Sequence, residues 1–170
     1  MATLNQARKS AENLTESNLN NDLFDYIIAL KKEFIKLNAG QIHDHKNSKG
    51  KKLENKNKKY SGFYTKATEE IAKASTPKPT APKIQGQPYN FVWGGDFMNN
   101  FYLYKKQGEI IMGSTGTGTG TISTLFGDEK EEFFRGYEDL FGLTDENLKG
   151  VIRDKILPLF IKNIRNTLNL

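Results

Sequence analysis

The chain has 170 residues, 36% apolar and 26% charged, with no cysteine and a formal net charge of +5. That length suits one domain, since a domain of this size withdraws roughly 70% of its extended-chain surface from water, and the low apolar share leaves part of the chain as solvated arm or loop. Without cysteine, disulfide frameworks and thiolate zinc sites are excluded, and no run approaches the ~20 apolar residues that span a bilayer; the opening residues Met1–Lys9 also lack the apolar core of a secretion signal.

Residues 1–20 are polar, with only Leu4, Leu14 and Leu19 to bury, and are read as a flexible arm ahead of a single domain over 21–170. Beyond Asn21 or Asp22, either of which offers an N-cap oxygen, Leu23, Phe24, Ile27, Ile28, Leu30, Phe34, Ile35 and Leu37 recur at three- and four-residue steps. Lys31, Lys32, Glu33 and Lys36 lie opposite. This spacing predicts an amphipathic helix, with Gly40 in the left-handed position past its end. In the next stretch Lys46, Lys49, Lys51, Lys52, Lys56, Lys58 and Lys59 face only Glu54, while Asp128–Glu146 is acidic, so opposite patches could meet head to tail between copies. Ser48-Lys49-Gly50 reads as a turn.

A helix is expected from Tyr60 to about Ala74, with Phe63, Tyr64 and Ile71 inward, until the Pro-rich loop 75–82 stops it. Phe101–Tyr104 and Glu109–Met112, joined through Lys105-Lys106-Gln107-Gly108, read as a β-hairpin, and the Gly/Thr run 113–121 as a flexible loop. A short acidic helix is expected over about Asp128 to Leu140. Thr144 then caps a terminal helix whose Leu148, Val151, Ile152, Ile156, Leu159, Phe160, Ile164 and Leu168 form one apolar stripe, kinked or broken near Asp154–Pro158. The fold class is α+β: a small antiparallel sheet flanked by the N-terminal amphipathic helix and a C-terminal helix kinked near Pro158.

No catalytic, cofactor-binding or metal-binding residue is assigned. The Gly/Thr run lacks the lysine followed by Ser or Thr that a phosphate loop needs at its helical end. His43-Asp44-His45, the only histidines, could present two imidazoles on one strand face, but no third ligand stands at a fixed spacing and a solvent-exposed turn is preferred; a small hydrolase with a metal on these two residues is a third reading. Carboxylates such as Asp128, Glu131 and Asp139 read as a solvated helix face, and Phe97 and Phe101 as aromatics buried beside the turn at Gly94-Gly95. The candidate interaction residues are Lys46, Lys49, Lys51, Lys52, Lys58 and Lys59, with Gly116, Gly118 and Gly120. The lysines, followed by Tyr60, Phe63 and Tyr64, keep a basic nucleic-acid-binding protein as the alternative.

Leu37-Asn38-Ala39-Gly40-Gln41-Ile42, then Ser48-Lys49-Gly50-Lys51-Lys52-Leu53 and Tyr60, then Gly94-Gly95-Asp96-Phe97 before Phe101-Tyr102-Leu103, and finally Leu140-Phe141-Gly142-Leu143-Thr144-Asp145-Glu146-Asn147 follow one another in a distinctive order. In that order the chain resembles the virion-morphogenesis and tail-completion proteins of tailed bacteriophages over most of residues 21–168. It departs from them in lacking an aspartate ahead of Gly50, in having Gly94-Gly95 where they have Thr-Gly, and in its Gly/Thr run. The resemblance implies a non-enzymatic virion protein of the neck, head-tail connector or tail end. It also implies assembly as a ring of copies that docks on portal, connector or tail-tube proteins, formed in the bacterial host cytoplasm, with the arm, the lysine segment and the Gly/Thr loop as gripping elements.

Overall fold

The computed structural model describes residues 8–9, 11–12, 14–57, 61–76, 78–92, 96–115 and 134–168. Its described elements are helices and one two-stranded antiparallel sheet, an α+β arrangement. Helix α1 spans Glu16–Ala29, so it begins inside the segment expected to be an arm, and its cap is Thr15 rather than Asn21 or Asp22. The Thr15 hydroxyl accepts from the Asn18 amide (3.3 Å) and Glu16 sits in the first turn, where a carboxylate complements the helix dipole.

The expected single helix is two. Leu30 leaves helical geometry (φ −92°, ψ 12°), and α2 then runs over Lys31–His43, through Gly40 rather than stopping at it. The left-handed residue is His45 (φ 60°); its amide reaches Ile42 O (3.0 Å) and the Lys46 amide reaches Gln41 O (2.8 Å). That is the two-bond Schellman closure. Past it, Asn47 Oδ1 accepts from the amides of Lys49 (3.0 Å) and Lys51 (2.9 Å), forming the expected turn with Gly50 at φ 72°.

Helix α3 spans only Lys66–Ala74, capped by Thr65. Tyr64 and Phe63 precede it, because Phe63 bridges Pro88 antiparallel: the Tyr64 amide donates to Gln87 O (2.9 Å) and the Tyr89 amide to Gly62 O (3.1 Å). Ile71, expected inward, is 60% exposed, and Ala72 is the buried residue. A single helical turn, α4 (Asp96–Asn99), leads into β1 (Phe101–Lys106) and β2 (Glu109–Ser114), registered Leu103 to Met112. Gln107 (φ 51°) and Gly108 (φ 79°) make the two-residue turn whose twist suits a hairpin. Gly113 and Ser114, assigned above to a loop, belong to β2 and are buried; residues 116–121 lie outside the described residues.

The acidic helix expected over 128–140 has its first six residues outside the described ones. From Phe134 onward it ends at once: the chain turns at Gly136, Asp139 takes φ 55°, and Tyr137 and Leu140 are buried. A Cβ on Gly136 would stand 1.7 Å from Asn55 Oδ1, so a side chain there would require the Asn55 carboxamide to move. Helix α5 (Asp145–Val151) is capped by Thr144, whose hydroxyl accepts from the Asn147 amide. Hydrogen bonding then widens to a π-helical turn over Ile152–Ile156 before α6 (Leu157–Leu168) resumes. The wide turn lies immediately ahead of Pro158, which has no amide proton to return to the turn before it.

Two apolar clusters form among the described residues. One joins Ile42, Leu53, Phe91, Phe97, Tyr137 and Leu140, with Phe97 stacked on Phe134 (5.4 Å between centroids) and edge-on to Phe101 (5.2 Å). The other joins Phe34, Leu103, Val151 and Ile156, and α6 closes it on α1 through Tyr26–Phe160 and Asn163–Asp22.

Lys83 is a buried cation in the loop after α3. Its Nζ donates to Asn90 Oδ1 (2.8 Å) and to Val92 O and lies 5.3 Å from the centre of the Tyr64 ring. Burial lowers its pKa from 10.5 to about 8, and raises that of Tyr64 from 10.0 to about 12 and that of Tyr137 still further. Below pH 8 the ammonium is present whether the chain is folded or not, and folding bears the whole desolvation penalty. Stability should therefore rise by on the order of 1–2 kcal/mol, after screening by solvent, as pH passes from about 8 toward 10. Above that, the unfolded phenols ionise first, so the contribution of the raised tyrosine pKa values is lost and stability falls. Urea unfolding across pH 7–11 should show this maximum, and Lys83→Met should flatten its rising limb.

Candidate functional site

Three sequence segments, 37–42, 48–53 and 140–147, meet in space. On the buried face of α2 the sequence places Phe34, Asn38, Gln41 and Ile42, so two carboxamides lie between two apolar anchors. Asn38 Nδ2 donates to Leu140 O (3.2 Å) and Gly142 O (2.8 Å), and Gln41 Nε2 also donates to Gly142 O (3.0 Å). Gln41 Oε1 accepts from the Thr144 amide (2.9 Å) and from Asn147 Nδ2 (2.7 Å). The Ser48-Lys49-Gly50 turn packs on the same loop, with the Ser48 amide on Asp139 O (2.8 Å) and Gly50 beneath Thr144. Gly142 has φ 125°, and a Cβ on it would meet Ser48 Cβ at 3.1 Å. These motifs build a joint between α2, the lysine segment and the start of α5.

A cleft of about 680 Å³ opens over that joint, and charges of both signs line it: Lys36, Lys46 and Lys49 with Asp44, Asp145 and Glu146. The opposite patches expected to meet between copies are partly paired within one chain. Lys49 Nζ lies 2.7 Å from Asp139 Oδ2, whose hydrogen bond raises the lysine pKa, and Lys56 pairs with Glu138. Lys52 lies 5.0 Å from the centre of the Phe63 ring. Of the candidate interaction residues, Lys46 and Lys51 are exposed and appear in no ion pair among the described residues, whereas Lys58, Lys59, Gly116, Gly118 and Gly120 lie outside those residues.

His43 ends α2 and is exposed, but His45 is only half-exposed, with Nδ1 buried and lacking a hydrogen-bond partner. Burial, then the charges of His43, Lys52 and Lys83, lower its pKa. The two histidines are thus a helix end, not a strand, and no group of three or more His, Asp or Glu suited to a metal occurs among the described residues.

Sequence reasoning missed the apolar surface. Of the apolar stripe expected on the terminal helix only Val151 and Ile156 are buried; Leu148, Ile152 and Leu159 are 36–41% exposed, and outside that stripe Leu157 and Ile161 are 45% and 42% exposed. The signal was available: Ile156, Leu157, Leu159, Phe160, Ile161 and Ile164 fall on too many sides of a helix for one buried face. Beside Leu148 runs an apolar groove of about 410 Å³ between β2 and the loop 141–143, floored by Phe34, Leu103 and Met112. On the outer face of the hairpin Tyr102 and Tyr104 stand exposed, the Tyr102 ring lying across Gly113, where any Cβ would clash with it.

No protein-family model matches this chain, and no curated protein or solved structure matches it either. No helix among the described residues is long and apolar enough to cross a membrane.

Gln41→Leu would strand the Thr144 amide and the Asn147 carboxamide at the joint. It should cost roughly 2–3 kcal/mol, read as a lower urea midpoint at unchanged m-value.

Proposed function

We propose that this chain is a structural virion protein of a tailed bacteriophage, with assembly as its only activity. It forms part of a neck, head-tail connector or tail-completion ring by packing against copies of itself and docking on portal, connector or tail-tube proteins, after assembly in the host cytoplasm. The observation that carries the reading is the apolar surface: five large aliphatic side chains between Leu148 and Ile161 are 36–45% exposed, and Leu148 also lines the groove beside β2. Single exposed aliphatics are ordinary on a monomer, but several within one short stretch, next to an apolar groove, favour a surface used for contact. The order of the motifs in the sequence is what implies the family, and the packing of three of them, 37–42, 48–53 and 140–147, into one joint is in keeping with that order.

The nucleic-acid alternative draws on Lys46 and Lys51, both exposed. Against it, Lys49, Lys52 and Lys56 are engaged by groups of their own chain. Binding to duplex DNA that falls steeply with salt and is lost in Lys51→Gln/Lys52→Gln would favour that alternative.

Light scattering on the purified protein should find oligomers at micromolar concentration. Leu157→Asp/Ile161→Asp should reduce them to monomers while moving the melting temperature by no more than about 2–3 °C, since neither side chain is core. Electron microscopy of intact particles should place the protein at the neck or tail; a strictly monomeric protein absent from particles would reject the reading.

A further inference from the structure

The exposed side of α6 carries charge of one sign among its apolar residues. Leu157, Ile161 and Arg165, four apart, share one row, and Leu159 and Lys162, three apart, share the neighbouring region. Between Lys149 and Leu168 five cationic residues stand against a single carboxylate, Asp154, and that carboxylate is taken by Arg153 (2.6 and 2.8 Å). Lys155, Lys162 and Arg165 are exposed; Lys162 and Arg165 form no ion pair among the described residues, and Lys155 has only Asp154, already held by Arg153, close by. An occupant of this face must therefore be apolar and anionic together.

The chain contains such a segment. Residues 125–133 read Leu-Phe-Gly-Asp-Glu-Lys-Glu-Glu-Phe: four carboxylates against one lysine, bracketed by Leu125, Phe126 and Phe133. The described residues on either side of it are tied down at the other apolar cluster. Thr115 donates to Asn100 O (3.1 Å), Ser114 Oγ to Phe97 O (2.6 Å), and Phe134 stacks on Phe97. α6, by contrast, packs on α1 through Tyr26–Phe160.

We infer that the exposed face of α6 is the docking site for the acidic-aromatic segment 125–133 of a second copy. This rests on the assembly reading and gives it a partner and a polarity. One copy offers its basic helix and the next its acidic segment, so the contact joins two different patches and repeats head to tail. The aliphatic side chains supply burial, while Lys155, Lys162 and Arg165 set register and speed encounter.

Reversing the charges separately tests it. Lys155→Glu/Lys162→Glu/Arg165→Glu and Asp128→Lys/Glu131→Lys/Glu132→Lys should each be monomeric under conditions where the wild-type chain is oligomeric, with far-UV circular dichroism retained. Mixed in equal amounts, the two reversed proteins should assemble again, because each now offers what the other lacks. As an independent readout, a labelled peptide of residues 122–134 should bind the acid-reversed protein saturably. The affinity should fall at least tenfold in Lys162→Glu/Arg165→Glu, and fall also as salt is raised. A wild-type protein that is monomeric overturns the assembly reading and this contact with it. An oligomer indifferent to both reversals, or a mixture that stays monomeric, overturns this contact alone: the occupant is then the chain's own segment, if the peptide binds, or another virion protein, if it does not.

Discussion

Two carboxamides on one helix face hold this molecule together. Asn38 and Gln41 sit between Phe34, which enters one apolar cluster, and Ile42, which enters the other, so α2 contributes to both. Their side chains take the carbonyls of Leu140 and Gly142 and the amides that open α5, all polar groups in surroundings where water would otherwise have to serve them. A buried amide left without partners costs about 1–3 kcal/mol, so each bond formed here removes a penalty as well as adding an attraction. The exception is Asn38 Oδ1, buried with no hydrogen-bond partner among the described residues.

The glycines at this joint follow from the same constraint. Gly142 is needed for its left-handed backbone and for the approach of Ser48, and Gly136 for the approach of Asn55. The Phe-Gly-Leu-Thr motif is therefore a packing signature: an aromatic for the cluster, a glycine for the turn, an aliphatic for the groove, and a hydroxyl to cap the helix. These polar needs are met internally, and Lys49, Lys52 and Lys56 are also engaged by groups of their own chain.

The hairpin, the turn at Gly50, the Thr144 cap and the disturbance near Pro158 were readable in advance because each depends on neighbours in sequence: a two-residue Gln-Gly turn, an Asn ahead of a lysine-glycine turn, a hydroxyl followed by acids, a missing amide. The start of α1 was misplaced because Glu16–Asn20 are polar apart from Leu19 and carry no apolar period, although Thr15 followed by Glu16 is a capping signal. Gly40 misled because glycine is a frequent helix end, and His45 took the left-handed position instead. Phe63 and Tyr64 looked helical, but the segment pairs with 87–89, a contact twenty-odd residues away that no local pattern reports.

Composition and local spacing thus determined the class of fold, the hairpin register region, the caps and the abundance of unpaired positive charge, since these are set by backbone propensity and by formal charge within a few residues. Only the tertiary structure decided which half of the terminal helix is core, which lysines are already paired, and that three separate motifs form one joint. Those outcomes depend on groups far apart in the chain competing for the same neighbours, and burial is settled by the partner that arrives, not by the side chain that waits.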